Sequence, residues 1–441
     1  MLELINQLRN SDLVRAASGV ISIRILGIGT NYLFTFVVAR YYGAGALGSF
    51  VLAQTILMIS AIIGRLGLDT ALVRFISAAF SMNQLSKLRK TYFLSLTLVI
   101  GTSLLVSLLV FLGARWISVE ILKKPNMVTY IRAAAVGITP LAMLFIHSES
   151  FRGLKKIVYY SIFRNMTIPL ISSIVLLIFY YLNFQQGLFP LYSHLLAIFI
   201  LSAVSLLLWQ KNMPPAQISG AVNVNPNSLL RVSLPMLLSS SMAYIMQWTS
   251  VLILAIYVTE REIGIYNVAN KISLVTSISL FAINSMAAPM FAELFAKGNM
   301  RKLEKVVHRS TRLIFLSSTP VLLIFLIFPT FFLQIFGAEY MTGKSALILL
   351  TLAQFINACS GSVGVIMKMT NEQKAFQNII IVAMLINICL NLMLVPIMGI
   401  KGAALSSLIS TATWNISSIL VIRRRHNILT VFTPTLLRGS N

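Results

Sequence analysis

Arg40-Tyr41-Tyr42-Gly43-Ala44-Gly45-Ala46 separates two apolar runs, and the chain is organised around reading it as a tight link between two membrane-length helices. The run before it carries Arg24. The run after it ends in Gly67-Leu68-Asp69-Thr70-Ala71-Leu72-Val73-Arg74-Phe75, which places charge inside a segment long enough to span a bilayer. About 20 apolar residues in a helix cross a hydrocarbon core of roughly 30 Å. Lipid offers the backbone no hydrogen bonds, so only helices and closed barrels span it. Barrel strands alternate polar and apolar residues; these runs do not, and helices remain.

The whole chain supports that reading. Of its 441 residues 57% are hydrophobic and 10% charged, with a mean hydropathy of +0.86. The net charge is +24, from 35 Lys and Arg against 11 Asp and Glu. In a soluble protein that balance points to nucleic acid; here it reflects the collection of Lys and Arg in cytoplasmic loops, and no nucleic-acid partner is expected. Cys359 and Cys389 both fall in apolar runs, so neither a disulfide framework nor a metal site is expected. The polar start, 1–16, followed by a long run interrupted by Arg24, reads as the approach to a first spanning helix rather than a cleaved signal peptide.

Apolar runs recur at 17–39, 48–72, 92–116, 130–151, 158–182 and 189–209. They recur again at 229–258, 264–291, 313–336, 345–367, 376–398 and 402–422. The expected fold is an all-α polytopic membrane protein of about twelve helices. Between the two sets lies a polar, Pro- and Asn-rich stretch with Met213-Pro214-Pro215 and Asn223-Val224-Asn225-Pro226-Asn227. The expected organisation is therefore an N-terminal six-helix lobe (1–210), a cytoplasmic linker (211–228), a C-terminal six-helix lobe (229–426) and a cytoplasmic tail (427–441). Cations cluster in alternate loops: Lys87, Arg89 and Lys90; Arg152, Lys155 and Lys156; the 297–312 stretch; Lys368 and Lys374; and Arg423-Arg424-Arg425. The positive-inside rule then places both termini in the cytoplasm; Lys123 and Lys124 are the exception.

The halves repeat one another. Gly48-Ser49-Phe50-Val51-Leu52-Ala53 aligns with Gly264-Ile265-Tyr266-Asn267-Val268-Ala269, and on the same offset Phe75 meets Phe291. An even number of helices in each half makes the repeats parallel, a style that transporters use. That offset pairs Arg24 with Ser240, Asn31 with Gln247, and Gln54 and Thr55 with Asn270 and Lys271. Arg24, Asn31 and Thr35 share a helix face, as do Ser240, Tyr244 and Gln247. Polar stripes in lipid are costly, so these are expected to line a wet interior.

Cations inside membrane runs, with few acids to neutralise them, point to an anionic cargo. Arg24 and Lys271 are the expected anion-binding residues, with Arg74 and Arg152 at the cavity mouth. Arg65 and Asp69, four residues apart on a predicted helix, read as a structural pair or an ion-coupling site. Arg164 and His194 are expected to face inward. No P-loop, zinc spacing or catalytic constellation appears, so an enzyme is not expected and no cofactor is implied.

The hairpin Arg40–Phe50, the 67–75 run and Phe151-Arg152-Gly153-Leu154-Lys155-Lys156 resemble the polysaccharide-exporter (Wzx-type O-antigen flippase) branch of the MOP superfamily. The resemblance implies a MATE-like transporter fold. It also implies a flippase for undecaprenyl-diphosphate-linked oligosaccharide in a bacterial inner membrane. On that reading the diphosphate lies on Arg24, Lys271, Arg74 and Arg152, and the glycan on Asn31, Gln54, Tyr244, Gln247 and Asn270. Expected partners are the lipid-linked substrate, membrane lipids, a polysaccharide polymerase and a chain-length regulator. The alternatives are a multidrug extrusion antiporter and a non-transporting scaffold of a polysaccharide synthesis complex.

Overall fold

The computed structural model describes residues 12–215 and 225–431. Among the described residues there are helices and no strands. In chain order the α-helices are α1 (Asp12–Arg65), α2 (Leu68–Ser81), α3 (Leu85–Trp116), α4 (Met127–Gly153), α5 (Ile157–Ser161), α6 (Thr167–Tyr181), α7 (Phe189–Asn212) and α8 (Pro226–Tyr257). They continue as α9 (Glu260–Leu274), α10 (Ser277–Ala296), α11 (Met300–Ile327), α12 (Pro329–Phe336), α13 (Lys344–Ser360), α14 (Val363–Met369), α15 (Gln373–Met398) and α16 (Ile400–His426). Nine helices among the described residues are long and apolar enough to cross a membrane, and a bent pair, Ala338–Ser360 with Val363–Met369, makes a tenth. The chain is thus an all-α polytopic membrane protein.

The opening link is tighter than the sequence suggests. Helix continues from both sides up to a single non-helical residue, Gly43 (φ 83°, ψ 173°). A side chain is strongly disfavoured in that conformation, so glycine sets the place where the first run turns into the second.

Four predicted helices are interrupted, the tenth (345–367) at Gly361-Ser362 between α13 and α14. The second breaks at Leu66-Gly67, both with positive φ. The eighth, expected over 264–291, breaks at Val275-Thr276 between α9 and α10. The ninth ends at Phe328, where Pro329 starts a separate short helix, because its ring cannot continue the hydrogen-bond ladder. Other ends carry ordinary signals. Thr259 and Glu262 form a reciprocal capping box at the start of α9, and the Asn299 side chain accepts from Lys302 N at 3.1 Å at the start of α11.

The chain divides into two compact units, Met1–Ile245 and Met246–Asn441, with the division inside α8. The core of the first includes Trp209, Tyr92 and Phe151, all fully buried, with the Tyr92 and Trp209 rings 5.0 Å apart. The second has a core of Phe291, Leu303, Val307, Val363, Ile366, Met367 and Ile422, into which Ile428 folds back after α16.

Candidate functional site: a charged cavity in the first unit

The site begins at the break in the second run. A Cβ on Gly67 would lie 2.3 Å from the Ser233 carbonyl oxygen and 2.8 Å from the Leu237 nitrogen, so its absence lets the α8 backbone come this close. Gly67 also has φ +71°, where a side chain is strained. The break leaves Arg65 in the last turn of α1 and Asp69 in the first turn of α2. Each sign suits its helix end, because free carbonyls at a C-terminus attract cations and free N–H groups at an N-terminus attract anions.

Arg65 and Asp69 are therefore not a pair along one helix, as their spacing predicts, but a bridge across a helix break. Arg65 Nη1 lies 2.7 Å from Asp69 Oδ2, and Arg65 Nε donates to the Ala61 carbonyl at 2.9 Å. Arg65 is 3% exposed. Its guanidinium lies 4.4 Å from the centroid of the Phe145 ring, which also packs against Arg164 at 4.0 Å.

Arg164 owes its place to a widened turn. Pro169 has no N–H to offer the Asn165 carbonyl, and its ring crowds that carbonyl in a regular α-helix. The helix loosens to a π-segment, Ile162–Met166, just before α6. The first helix accommodates the loosened backbone. Gly27 packs so closely that a Cβ would sit 2.7 Å from the Asn165 oxygen, and Thr30 Oγ1 lies 3.3 Å from the Met166 carbonyl.

The end of α4 closes the site. Glu149, 7% exposed, accepts from Arg152 Nη1 at 3.3 Å. Arg152 also lies 5.2 Å from the Tyr160 ring centroid. Tyr160 is within electrostatic range of Glu149, Arg164, Arg152 and Arg24.

Together Arg65, Arg152, Arg164, Asp69, Glu149 and Tyr160, with Ile62, Thr70 and Leu237, line a cavity of about 220 Å³. Three guanidiniums face two carboxylates. The volume lies below the roughly 300–1,000 Å³ of drug-sized pockets, so it suits a compact anionic group and not a whole oligosaccharide. Among the described residues no three His, Cys, Asp or Glu side chains group as a metal site.

The other predicted residues are dispersed. Arg24 and Asn31 are exposed on α1, while Thr35 is buried, its hydroxyl donating to the Asn31 carbonyl at 2.9 Å. Arg74 is exposed on α2 and does not line the cavity; Gln54 is half-buried in α1. The side chains of Ser240, Tyr244 and Gln247 lie outside the described residues. Lys271 and Asn270 are half-buried near the end of α9. The break just beyond them is served by hydroxyls. Ser273 Oγ donates to the Asn270 carbonyl at 2.8 Å, Thr276 Oγ1 to Ser273 O at 2.6 Å, and Ser318 Oγ to Thr276 O at 3.2 Å. Ser277 Oγ donates to Gln354 Oε1 at 2.6 Å.

Sequence reasoning missed two things. It left Glu149 and Arg164 without a role, although Pro169 four positions after Asn165 signals the altered turn. It also passed over a buried amide network in the second unit. There Asn391 Nδ2 lies 3.0 Å from Asn387 Oδ1 and 3.3 Å from Ser250 Oγ, and Asn387 donates to Ser410 Oγ at 3.0 Å. The signal was two asparagines four apart in an apolar run.

Comparison with known proteins agrees with this architecture. A family model described as "Polysaccharide biosynthesis protein" matches residues 37–344. The probable low-salt glycan biosynthesis flippase Agl15 of Haloferax volcanii is 25% identical over 189 residues, 43% of this chain and 40% of that protein. The chain thus spans less than half the length of that curated relative. Among solved structures, an inward-facing multidrug resistance MATE family transporter of the MOP superfamily superposes with a TM-score of 0.72. It is 15% identical, with 94% of this chain and 96% of that one covered. The lipid II flippase MurJ in an inward closed conformation gives 0.65 at 13% identity, covering 92% and 87%. A MOP superfamily transporter from Pyrococcus furiosus, whose reverse-polarity binding pocket is said to suggest a different function, gives 0.59 at 15%, covering 97% and 98%. The fold is that of the MOP superfamily.

Proposed function

The chain belongs to the polysaccharide biosynthesis protein family, and from that premise we propose that it is a flippase for a lipid-linked oligosaccharide. The cargo is an undecaprenyl-diphosphate-linked repeat unit of O-antigen or another surface polysaccharide. It crosses from the cytoplasmic to the outer leaflet of a bacterial inner membrane by alternating access, with both chain termini in the cytoplasm. A polysaccharide polymerase and a chain-length regulator are its expected partners.

The observation that carries the reading is the cavity of the first unit, with three guanidiniums against two carboxylates in a space of about 220 Å³. Arginine forks bind phosphate oxygens in pairs, and a partly buried setting strengthens them. Arg65, Arg152 and Arg164 hold the diphosphate, and Arg24, in range of Tyr160, draws it in. Arg74 serves entry, and Lys271 supplies a cation in the second unit. The glycan lies on hydrogen-bonding walls to which Asn31, Gln54, Tyr244, Gln247 and Asn270 contribute. The lipid tail stays in the bilayer. The membrane potential assists: two negative charges moving outward across the whole field gain about 4.6 kcal/mol per 100 mV, twice roughly 2.3.

A multidrug antiporter reading draws on Asp69 and Glu149, both in the cavity. Each is paired with an arginine, and the cationic excess repels a drug cation. The test is an accumulation assay on Arg24→Ala, Lys271→Ala and the double variant Arg152→Ala/Arg164→Ala, with membrane abundance measured. The reading expects surface polysaccharide to fall and lipid-linked oligosaccharide to build up inside at normal protein level. Normal export from all of them removes the site assignment. Normal export after deletion of the whole protein removes the flippase and brings drug transport forward.

A further inference from the structure

The two carboxylates of the cavity are held differently. Asp69 makes a 2.7 Å bridge to Arg65, whose side chain is 4% exposed and whose guanidinium is fixed by the Ala61 carbonyl and the Phe145 ring. Glu149 bonds Arg152 at 3.3 Å, and the Arg152 side chain is 53% exposed. A long bond to an exposed partner yields sooner than a short bond to a buried one. Glu149 is thus the carboxylate that an incoming anion displaces.

The net charge of the site sets the fate of that displaced carboxylate. Three guanidiniums and two carboxylates sum to +1. A headgroup carrying two negative charges takes the cavity to −1, with a displaced, buried carboxylate beside it. Uncompensated buried charge is the costliest state available, and neutralisation by a proton is the ordinary escape. One proton returns the cavity to zero. The charged and titratable groups that face Glu149 among the described residues enter this sum: Arg152 from its own helix, Tyr160 from α5, Arg164 from the π-segment, Asp69 from α2 and Arg65 from the end of α1. The α8 contribution to the lining, Leu237, is apolar.

We infer that Glu149 is the resident counter-ion of the cavity: an anionic headgroup replaces it on Arg152 and Arg164, and Glu149 takes up one proton from the cytoplasmic water as it leaves. An O–H bond forms on the carboxylate and no other covalent bond changes. The inference rests on the flippase reading and adds to it the charge that crosses. When the headgroup leaves on the outer side, Glu149 releases its proton there and returns to Arg152. Headgroup and proton together then carry one net negative charge across instead of two, so the steepness of flipping with membrane potential is half that of a Glu149→Gln protein.

The experiment uses the full chain in nanodiscs with farnesyl diphosphate as probe. Calorimetric titration in two buffers of different ionisation enthalpy gives the protons taken up on binding. The wild type is expected to take up about one proton more than Glu149→Gln. Over the range where Glu149 is ionised, its affinity should weaken about tenfold per pH unit relative to the variant. Equal proton uptake in the two proteins overturns the inference and leaves the anion site standing. Failure of the probe to bind either protein at any pH overturns the anion site and the inference together. A second measurement needs no variant: in protein labelled with ¹³C-glutamate, probe binding should raise the carbonyl band of a protonated carboxyl. Its absence overturns the inference.

Discussion

The two units each interrupt a helix shortly after the residues that the internal repeat aligns, and they do so by opposite means. In the first unit the break at Leu66-Gly67 is bridged by a buried ion pair, Arg65 with Asp69, and opens on a charged cavity. In the second the break at Val275-Thr276 is served by neutral groups, with Ser273, Thr276 and Ser318 donating to carbonyls and Ser277 donating to Gln354. Both answer one constraint, since backbone groups freed within a bilayer must find partners. They differ in what else they provide. Hydroxyls satisfy carbonyls and leave the field near zero, whereas a guanidinium and a carboxylate leave charge that a ligand can meet. The two units divide the chemistry, with a charged cavity in the first and an amide network buried in the second.

That contrast is open to graded tests. Arg65→Ala strands Asp69 in a nearly buried site and should cost about 3–5 kcal/mol, read as a lowered midpoint of thermal unfolding in detergent and reduced membrane abundance. The double change Arg65→Met/Asp69→Leu should recover most of the loss, because it removes the stranded charge. If Arg65→Ala unfolds like wild type, the ion pair is not what holds the first break. Gly67→Ala should cost about 1–3 kcal/mol for its backbone conformation alone, and more because the Ser233 carbonyl must move. Asn391→Leu removes the centre of the amide network; Asn387 loses the donor to its carbonyl and side-chain oxygens, and Ser250 the donor to its hydroxyl. The same assay should show a loss of about 1–3 kcal/mol. Ser277→Ala should be mildest, near the ~0.6 kcal/mol average for hydrogen bonds between membrane helices, with export unchanged. A large loss at Ser277 would mean that the neutral break is as constrained as the charged one.

Much of the fold was legible because spanning a bilayer demands long apolar runs, and those stand out without any knowledge of contacts. The hairpin at Gly43 was legible for the same reason. The interruptions were not. Gly67 sits in a membrane-length run where glycine is common, and its meaning depends on α8 packing against it. Val275-Thr276 has neither Gly nor Pro, and the hydroxyls that serve it, from Ser273, Thr276, Ser277 and Ser318, are ordinary in such runs. In the candidate site, Arg152 was picked out by its place at a helix end, and the spacing of Arg65 and Asp69 suggested their pairing. Glu149 and Arg164 were visible as lone charges, but their meeting depends on the turn that Pro169 loosens. Arg74, expected at the cavity mouth, is exposed on α2 and is not among the residues that line the cavity.

The π-segment at Ile162–Met166 acts on the helix around it like a dislocation in a crystal. It inserts a fraction of a turn, and each residue of an α-helix advances the direction of the next side chain by about 100°. Tyr160 on one side of the fault therefore keeps a different phase from Ser172 and Ser173 on the other, and Arg164 lies within the fault itself. A continuous helical wheel drawn through 157–181 misassigns whichever half is not used to set it. Shortening this stretch by one residue would be a rotation of one arm against the other, delivered to the wall of the cavity without altering any residue that lines it.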